Sequence, residues 1–156
     1  MAGGVEIERK FLVEELPGDL EWLDDRPLRQ GYVALDGATE VRIRDDDGSW
    51  RLTVKHGGGV RRVEEEMGVE ARSGEALWTL TEGRRIEKRR HRMPYGDAML
   101  EVDVFEGGLQ GLVVAEVEFG DEATAAAFTP PAWFGPEVTD DPAYKNRALA
   151  VDGRPA

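Results

Sequence analysis

Charged and apolar residues alternate with a period of two along most of this chain, and one sign of charge recurs along the polar face of several segments. A period of two puts successive side chains on opposite faces, which is strand geometry and not helix geometry. Val5 to Leu12, Arg29 to Leu35, Glu40 to Arg44, Trp50 to Lys55, Val60 to Val69, Arg85 to Met93, Met99 to Phe105 and Leu112 to Phe119 read as strands. Asp36-Gly37 and Asp47-Gly48 mark turns, and Pro94-Tyr95-Gly96-Asp97 closes a hairpin. Gly57-Gly58-Gly59 lacks the Lys-Ser/Thr and helix that should follow a phosphate loop, so it reads as another turn. Three short helices are expected. One is Ser73 to Leu80, capped by Ser73 with Ala76, Leu77 and Leu80 on one face. The second is Asp121 to Phe128, stopped by Pro130-Pro131, and the third is Pro142 to Ala150, with Asp140 or Asp141 near its cap. The expected fold class is α+β, mainly β: an eight-stranded antiparallel barrel, or tunnel, with a charged interior and a few covering helices.

The charged faces carry the functional information. Glu6, Glu8 and Lys10 share a face of the first strand, and Arg42 and Arg44 share one of the third. Arg51, Thr53 and Lys55 oppose Leu52 and Val54; Arg62, Glu64 and Glu66 oppose Val63 and Met67. Lys88, Arg90 and Arg92 line up on the sixth strand, Glu101 and Asp103 on the seventh, Glu116 and Glu118 on the eighth. A sheet with one wet face produces the same alternation. Sorting by sign argues against it, because a surface serving solubility mixes signs on each strand. Turned inward, these charges require water, ion pairing or a bound polyanion with metal.

Composition limits the partners. At 156 residues the chain is expected to form a single domain over 1–156. No stretch approaches the roughly 20 apolar residues of a membrane helix, and residues 1–10 lack a signal-peptide pattern. A cytoplasmic protein without a membrane partner is therefore expected. The net charge of −12 speaks against nucleic-acid binding through a basic surface. A small anionic ligand remains compatible, since the basic residues are concentrated on three strands. Arg and Lys suit phosphate oxygens. Carboxylates do not, but they hold hard divalent cations that bridge to phosphate. An acidic set without Cys, and without His on the charged faces, suits Mg²⁺ or Mn²⁺ over Zn²⁺.

Val5-Glu-Ile-Glu-Arg-Lys-Phe-Leu12 resembles the N-terminal Glu-x-Glu-x-Lys signature of the CYTH superfamily, the triphosphate tunnel metalloenzymes. The resemblance continues in order through Arg29-Gln-Gly-Tyr32, Val41 to Arg44, Leu52 to Lys55, Glu64/Glu66, Lys88-x-Arg90, Glu101-Val-Asp103, Ala115 to Glu118 and Tyr144-Lys-Asn146. It implies a tunnel that holds a triphosphate along its axis. Lys10, Arg42, Arg44, Lys55, Lys88 and Arg90 match the family's phosphate-binding residues, and Arg62 on the fifth strand joins them. Lys145 lies in a C-terminal helix that closes one tunnel mouth in relatives, and is expected to reach phosphate. Glu6, Glu8, Glu116 and Glu118 match the metal ligands, with Glu64, Glu66 and Asp103 as further members. Glu6, Glu8 and Lys10 are the expected catalytic group. The implied activity is metal-dependent hydrolysis of tripolyphosphate to diphosphate and phosphate. Class IV adenylyl cyclase, thiamine or nucleoside triphosphatase, and a non-catalytic polyphosphate or nucleotide-binding module are the alternatives. The resemblance and the apolar outer wall suggest a homodimer, with a monomer covered by its own helices as the alternative.

Several residues have plainer readings. Arg29 is either another phosphate-facing base or a rim charge. Tyr32 reads as wall packing over a group orienting Lys10. His56 and His91 read as incidental, because His91 alternates away from Lys88 and Arg90. Trp22, Trp50, Trp78 and Trp133 read as packing residues, and Arg84, Arg85 and Arg89 as solvated.

Overall fold

The computed structural model describes residues 7–58 and 61–155. Eight strands form one antiparallel sheet: β1 (Ile7–Leu12), β2 (Asp24–Asp36), β3 (Thr39–Asp46), β4 (Ser49–Gly58), β5 (Arg61–Val69), β6 (Arg85–Tyr95), β7 (Ala98–Phe105) and β8 (Val113–Phe119). Their order is β1-β8-β7-β6-β2-β3-β4-β5. Side chains from β1, β8, β6, β2 and β3 line a single cavity, so the sheet wraps around it. This is the expected tunnel, with no hydrogen-bonded ladder joining β1 to β5 among the described residues. The turns follow local chemistry. Asp47 and Gly48 both have positive φ (51° and 97°) between β3 and β4, the combination a two-residue hairpin loop of type I′ needs. Gly48 also donates its N–H to the Asp45 carboxylate at 2.7 Å.

The free edge of β1 is covered by the chain itself. Gly135 donates to the Leu12 carbonyl at 2.6 Å, Leu12 to Pro136 at 2.9 Å and Val138 to Lys10 at 2.8 Å. The Lys10 N–H donates to Thr139 Oγ1 at 3.0 Å, and Arg9 pairs with Glu137 at 2.7 Å. An unpaired edge is a template for aggregation, and this strap removes one of the two.

The apolar faces of the strands turn outward and are packed under the chain's own segments. Leu100, Val117 and Phe119 lie beneath helix α2 (Glu122–Ala127) and Phe128, with Phe134 alongside. Asp121 caps α2 by accepting from the Thr124 N–H at 2.7 Å, as expected. Val13, Val102 and Ala115 lie beneath Leu16, Trp22 and Trp133. Helix α1 (Ala71–Trp78) covers Ile43 and Trp50 on the β2–β4 side. Beyond it, Val63 and Met67 on β5 stay exposed.

Helix α1 departs from its expected form. It starts at Ala71 with Glu70 at the cap position, so Ser73 lies inside it. Gly74 and Trp78 are its buried residues, whereas Ala76 is exposed and Leu80, beyond its end, is 56% exposed. The docking face is set by Trp50 and Arg29 beneath it. The Arg29 guanidinium lies 5.0 Å from the ring centres of both Trp50 and Trp78 and donates to Asp45 at 2.7 Å and Glu75 at 3.1 Å. It is thus neither a phosphate-facing base nor a rim charge. Arg84 and Arg85 are fastened, not solvated. Arg84 donates to the Tyr32 and Leu80 carbonyls at 3.0 and 2.9 Å. Arg85 donates to Thr81 Oγ1 and the Trp78 carbonyl, both at 2.8 Å. Carbonyls at a helix C-terminus lack intrahelical partners, and these guanidinium groups supply some. Arg89 is exposed and pairs with Asp25.

One end of the tunnel is apolar. Tyr32, Ile86, Phe105, Leu109, Leu112 and Val114 form a buried cluster against Leu149 and Ala150 of helix α3 (Asn146–Asp152). The expected continuous C-terminal helix is broken. Pro142 to Tyr144 is a single 3₁₀ turn capped by Asp141, which accepts from the Ala143 N–H at 3.0 Å. Lys145 is extended (φ −71°, ψ 148°) before α3 begins. Among the described residues no helix is long and apolar enough to cross a membrane.

Gly74 is where the α1 docking can be tested. A Cβ built there would sit 2.3 Å from the Trp50 ring. In a free helix Gly→Ala stabilises by up to about 1 kcal/mol. Here the overpacking term dominates, and Gly74→Ala should destabilise by about 1–3 kcal/mol in urea unfolding. A stabilised variant would contradict the docking.

Candidate active site

Five strands and the α3 junction contribute to a cavity of about 410 Å³. β1 supplies Glu8 and Lys10, β8 supplies Glu116 and Glu118, β6 supplies Lys88 and Arg90, β3 supplies Arg44, and the junction supplies Lys145 and Asn146. Leu28, Gln30 and Ile86 complete the wall. Alternation points the strand residues to one face of the curved sheet, and the chain's return at Lys145 and Asn146 brings these two to the same cavity.

Register decides which charges settle one another. Arg90 stands opposite Asp103 and Lys10 opposite Glu116. Lys88 Nζ donates to Asp103 Oδ2 at 2.7 Å, while Arg90 grips the same carboxylate through Nε at 2.8 Å and Nη2 at 3.0 Å. Arg90 also reaches Glu101 at 3.3 Å. Asp103 is 1% exposed and is not among the residues lining the cavity. Burial alone would raise its pKa, but the adjacent Lys88 charge and the Arg90 hydrogen bonds pull it down to about 2. Lys10 Nζ lies 3.7 Å from Glu116 and donates to the Tyr144 carbonyl at 3.2 Å. Tyr144 thus orients Lys10 through its backbone. Tyr32 packs in the apolar end, its hydroxyl accepting from Gln30 Nε2 at 3.3 Å.

Elsewhere the register sets like charges opposite each other, which is unfavourable without a counter-ion. Glu8 faces Glu118 across the β1–β8 ladder. The Glu8 pKa is raised, first by burial and then by Glu116, with Glu118 adding and Lys10 and Arg90 opposing. Arg44 faces Arg51 across β3–β4. The Arg44 pKa is lowered, first by burial and then by the charge of Arg90. Next to it, a smaller cavity of about 220 Å³ is lined by Arg42, Arg44, Asp46, Arg51, Thr53 and Glu66. Arg42 Nε is buried there without a hydrogen-bond partner. The site therefore holds an excess of negative charge near Glu8 and an excess of positive charge near Arg44.

The remaining expected residues are spread wider. Glu66 pairs with Arg51 at 2.8 Å and Lys55 approaches Glu64 at 3.9 Å. Arg62 is exposed on β5, and Glu6 lies outside the described residues. His56 shares a 2.6 Å hydrogen bond with Thr39, and the His91 ring lies 5.0 Å from Trp22 on the outer face. Gln30, Arg51 and Asn146 fall within the quoted motifs and charged faces but are not among the expected site residues, and each lines one of the two cavities. Gln30 was recoverable, since it alternates with Arg29, and Asn146 adjoins Lys145 in sequence.

The sequence model of the CYTH domain matches residues 4–130. The chain belongs to the CYTH family. It is 47% identical over 150 residues to an inorganic triphosphatase of Nitrosomonas europaea, covering 94% of this chain and 97% of that protein. An inorganic triphosphatase of Acetivibrio thermocellus is 41% identical over 150 residues, covering 94% and 93%. A crystal structure of an inorganic triphosphatase superposes with a TM-score of 0.81 at 45% identity, covering 94% of this chain and 95% of that one. CYTH triphosphatases are metal-dependent in general. Among the described residues no three His, Cys, Asp or Glu side chains are gathered so that they could hold a metal ion. The carboxylates of Glu8, Glu116 and Glu118 do line one cavity, and the Glu8 pKa is raised first by burial and then by the neighbouring carboxylate charge that a cation would offset. By type, these all-oxygen donors suit a hard cation.

The Asp103 pairing sets an acid limit on stability. Its pKa falls from 3.8 to about 2 on folding. A depressed carboxylate stabilises the fold fully above its unfolded pKa and loses that contribution as pH drops through the folded one. In urea unfolding, the stability gap between wild type and Asp103→Asn should be constant above pH 3.8. It should then narrow by on the order of 2 kcal/mol as pH approaches 2. A gap that widens on acidification would contradict the pairing.

Proposed function

We propose that this chain hydrolyses inorganic tripolyphosphate to diphosphate and phosphate, with a divalent cation held on the carboxylate side of the cavity. The observation that carries the reading is the division of one cavity into an acidic patch and a basic patch, in a chain 47% identical to an inorganic triphosphatase. A polyanion alone would satisfy only the basic patch.

Arg42, Arg44 and Lys145 hold phosphate oxygens, with Lys10, Lys88 and Arg90 bound from the opposite side. Phosphoryl transfer asks chiefly for positioning and charge stabilisation, and Arg forks supply both. Glu8, Glu116 and Glu118 hold the cation, for which Mg²⁺ or Mn²⁺ suits an all-oxygen set. Glu6 is retained in that set on sequence grounds, and Glu64, Glu66, Lys55 and Arg62 would serve further along the tunnel. A bound cation neutralises phosphate charge and lowers the pKa of coordinated water. Lys10, anchored by the Tyr144 carbonyl, keeps its ammonium between the acidic patch and the substrate. The apolar end closes the tunnel behind Gln30 and Ile86 and limits the entry of bulk water. No Phe, Tyr or Trp is among the described residues lining the main cavity, which supports an inorganic substrate over one carrying a base or thiazole ring.

Phosphate release should be faster from tripolyphosphate than from ATP or thiamine triphosphate, and excess chelator should abolish it. Glu8→Gln/Glu116→Gln should lower the rate at least about 100-fold with the fold intact. Release that survives the chelator, or a wild type inactive on all three compounds, would reject the assignment.

A further inference from the structure

Lys88 and Arg90 are the two cavity cations on β6, and both are tied to one carboxylate that the cavity does not reach. Asp103 has each of its oxygens engaged: Oδ1 by Arg90 Nε, and Oδ2 by both Lys88 Nζ and Arg90 Nη2. With 1% exposure and three charge-assisted hydrogen bonds, it is held on every side that matters for orientation. Two adjacent cations on one strand repel each other, and Arg90 also opposes Arg44 across the cavity. Without a shared anchor the long Lys and Arg side chains would separate to relieve that repulsion.

We infer that Asp103 is a positioning residue for the proposed hydrolysis, setting the spacing and direction of Lys88 and Arg90 and touching neither substrate nor cation. This reassigns the residue, which the family resemblance placed among the metal ligands. The role rests on the triphosphatase reading and makes a prediction that simple charge balance does not. If Asp103 only offset positive charge, its neutralisation would leave a more positive cavity that binds the polyanion more tightly and works as well. A positioning role costs turnover instead. Misplacement of catalytic groups by about 1 Å can lower a rate about 100-fold without loss of ground-state binding.

Asp103→Asn and Arg90→Lys would be compared with wild type for tripolyphosphate turnover, and for tripolyphosphate affinity by calorimetry in chelator. Asp45→Asn, which disturbs the outer Arg29 clamp and the Gly48 turn contact and lines neither cavity, controls for lost stability. The expected result for Asp103→Asn is a kcat about 100-fold lower with affinity unchanged or tighter. Arg90→Lys, which keeps the charge and loses the fork, should show the same split and covers the case in which Asp103→Asn does not fold. Asp45→Asn should melt earlier with kcat unchanged. Full kcat in Asp103→Asn or Arg90→Lys, or a loss in proportion to unfolded protein, would overturn the inference. An inactive wild type would overturn the triphosphatase reading itself, which the variant data could not mimic.

Discussion

Charged side chains on the concave face of a curved sheet cannot all be hydrated, and strand register decides which of them find a partner. The β6–β7 ladder places Arg90 against Asp103, and the β1–β8 ladder places Lys10 against Glu116. Those charges are settled within the protein, at the cost of desolvation that only close hydrogen-bonded geometry offsets. The β1–β8 ladder also sets Glu8 against Glu118, and the β3–β4 ladder sets Arg44 against Arg51. A one-residue slip would exchange the charged and apolar faces of a strand. The distribution of paired and opposed charges is therefore a property of the whole sheet, and the site inherits it.

This constraint also explains the outside of the molecule. Turning the charged face inward leaves the apolar face to be covered, and the chain does this with short segments in place of a second sheet. α2, the segment carrying Phe128, Trp133 and Phe134, and α1 each cover a few strands. Arg29 shows how specific the fastening is: one guanidinium lies near two tryptophan rings and meets two carboxylates. Cation–π contacts of this type contribute about 0.5–2 kcal/mol each, which is substantial for a helix as short as α1.

Much of the sheet was legible because a period of two is a local signal. The inward residues Glu8, Lys10, Arg44, Lys88, Arg90, Glu116 and Glu118 could be named from alternation and sign. What escaped the reading depends on distant contacts. Ser73 looks like a cap, but the start of α1 is decided by how Gly74 and Trp78 meet Trp50. Arg84 and Arg85 look solvated until the end of α1 is placed over them. Lys145 sits in a helical pattern, yet the carbonyl of Tyr144 is drawn to Lys10 and the helix breaks there. Asp103 is indistinguishable by type from Glu116, and only its burial beside Lys88 and Arg90 separates a structural anion from an accessible one.

The strap along β1 ties the far end of the chain to its beginning. Residues 135–139 supply hydrogen-bond partners to Leu12 and Lys10, and the same segment leads directly into Tyr144 and Lys145. The signature strand and the C-terminal junction are thus mechanically one piece. A truncation before Gly135 would uncover a strand edge and release the Lys10 ammonium in the same step. Deleting the C-terminal segment therefore cannot serve as a clean removal of a gate: any lost activity would mix the loss of the tunnel mouth with the loss of the wall behind it.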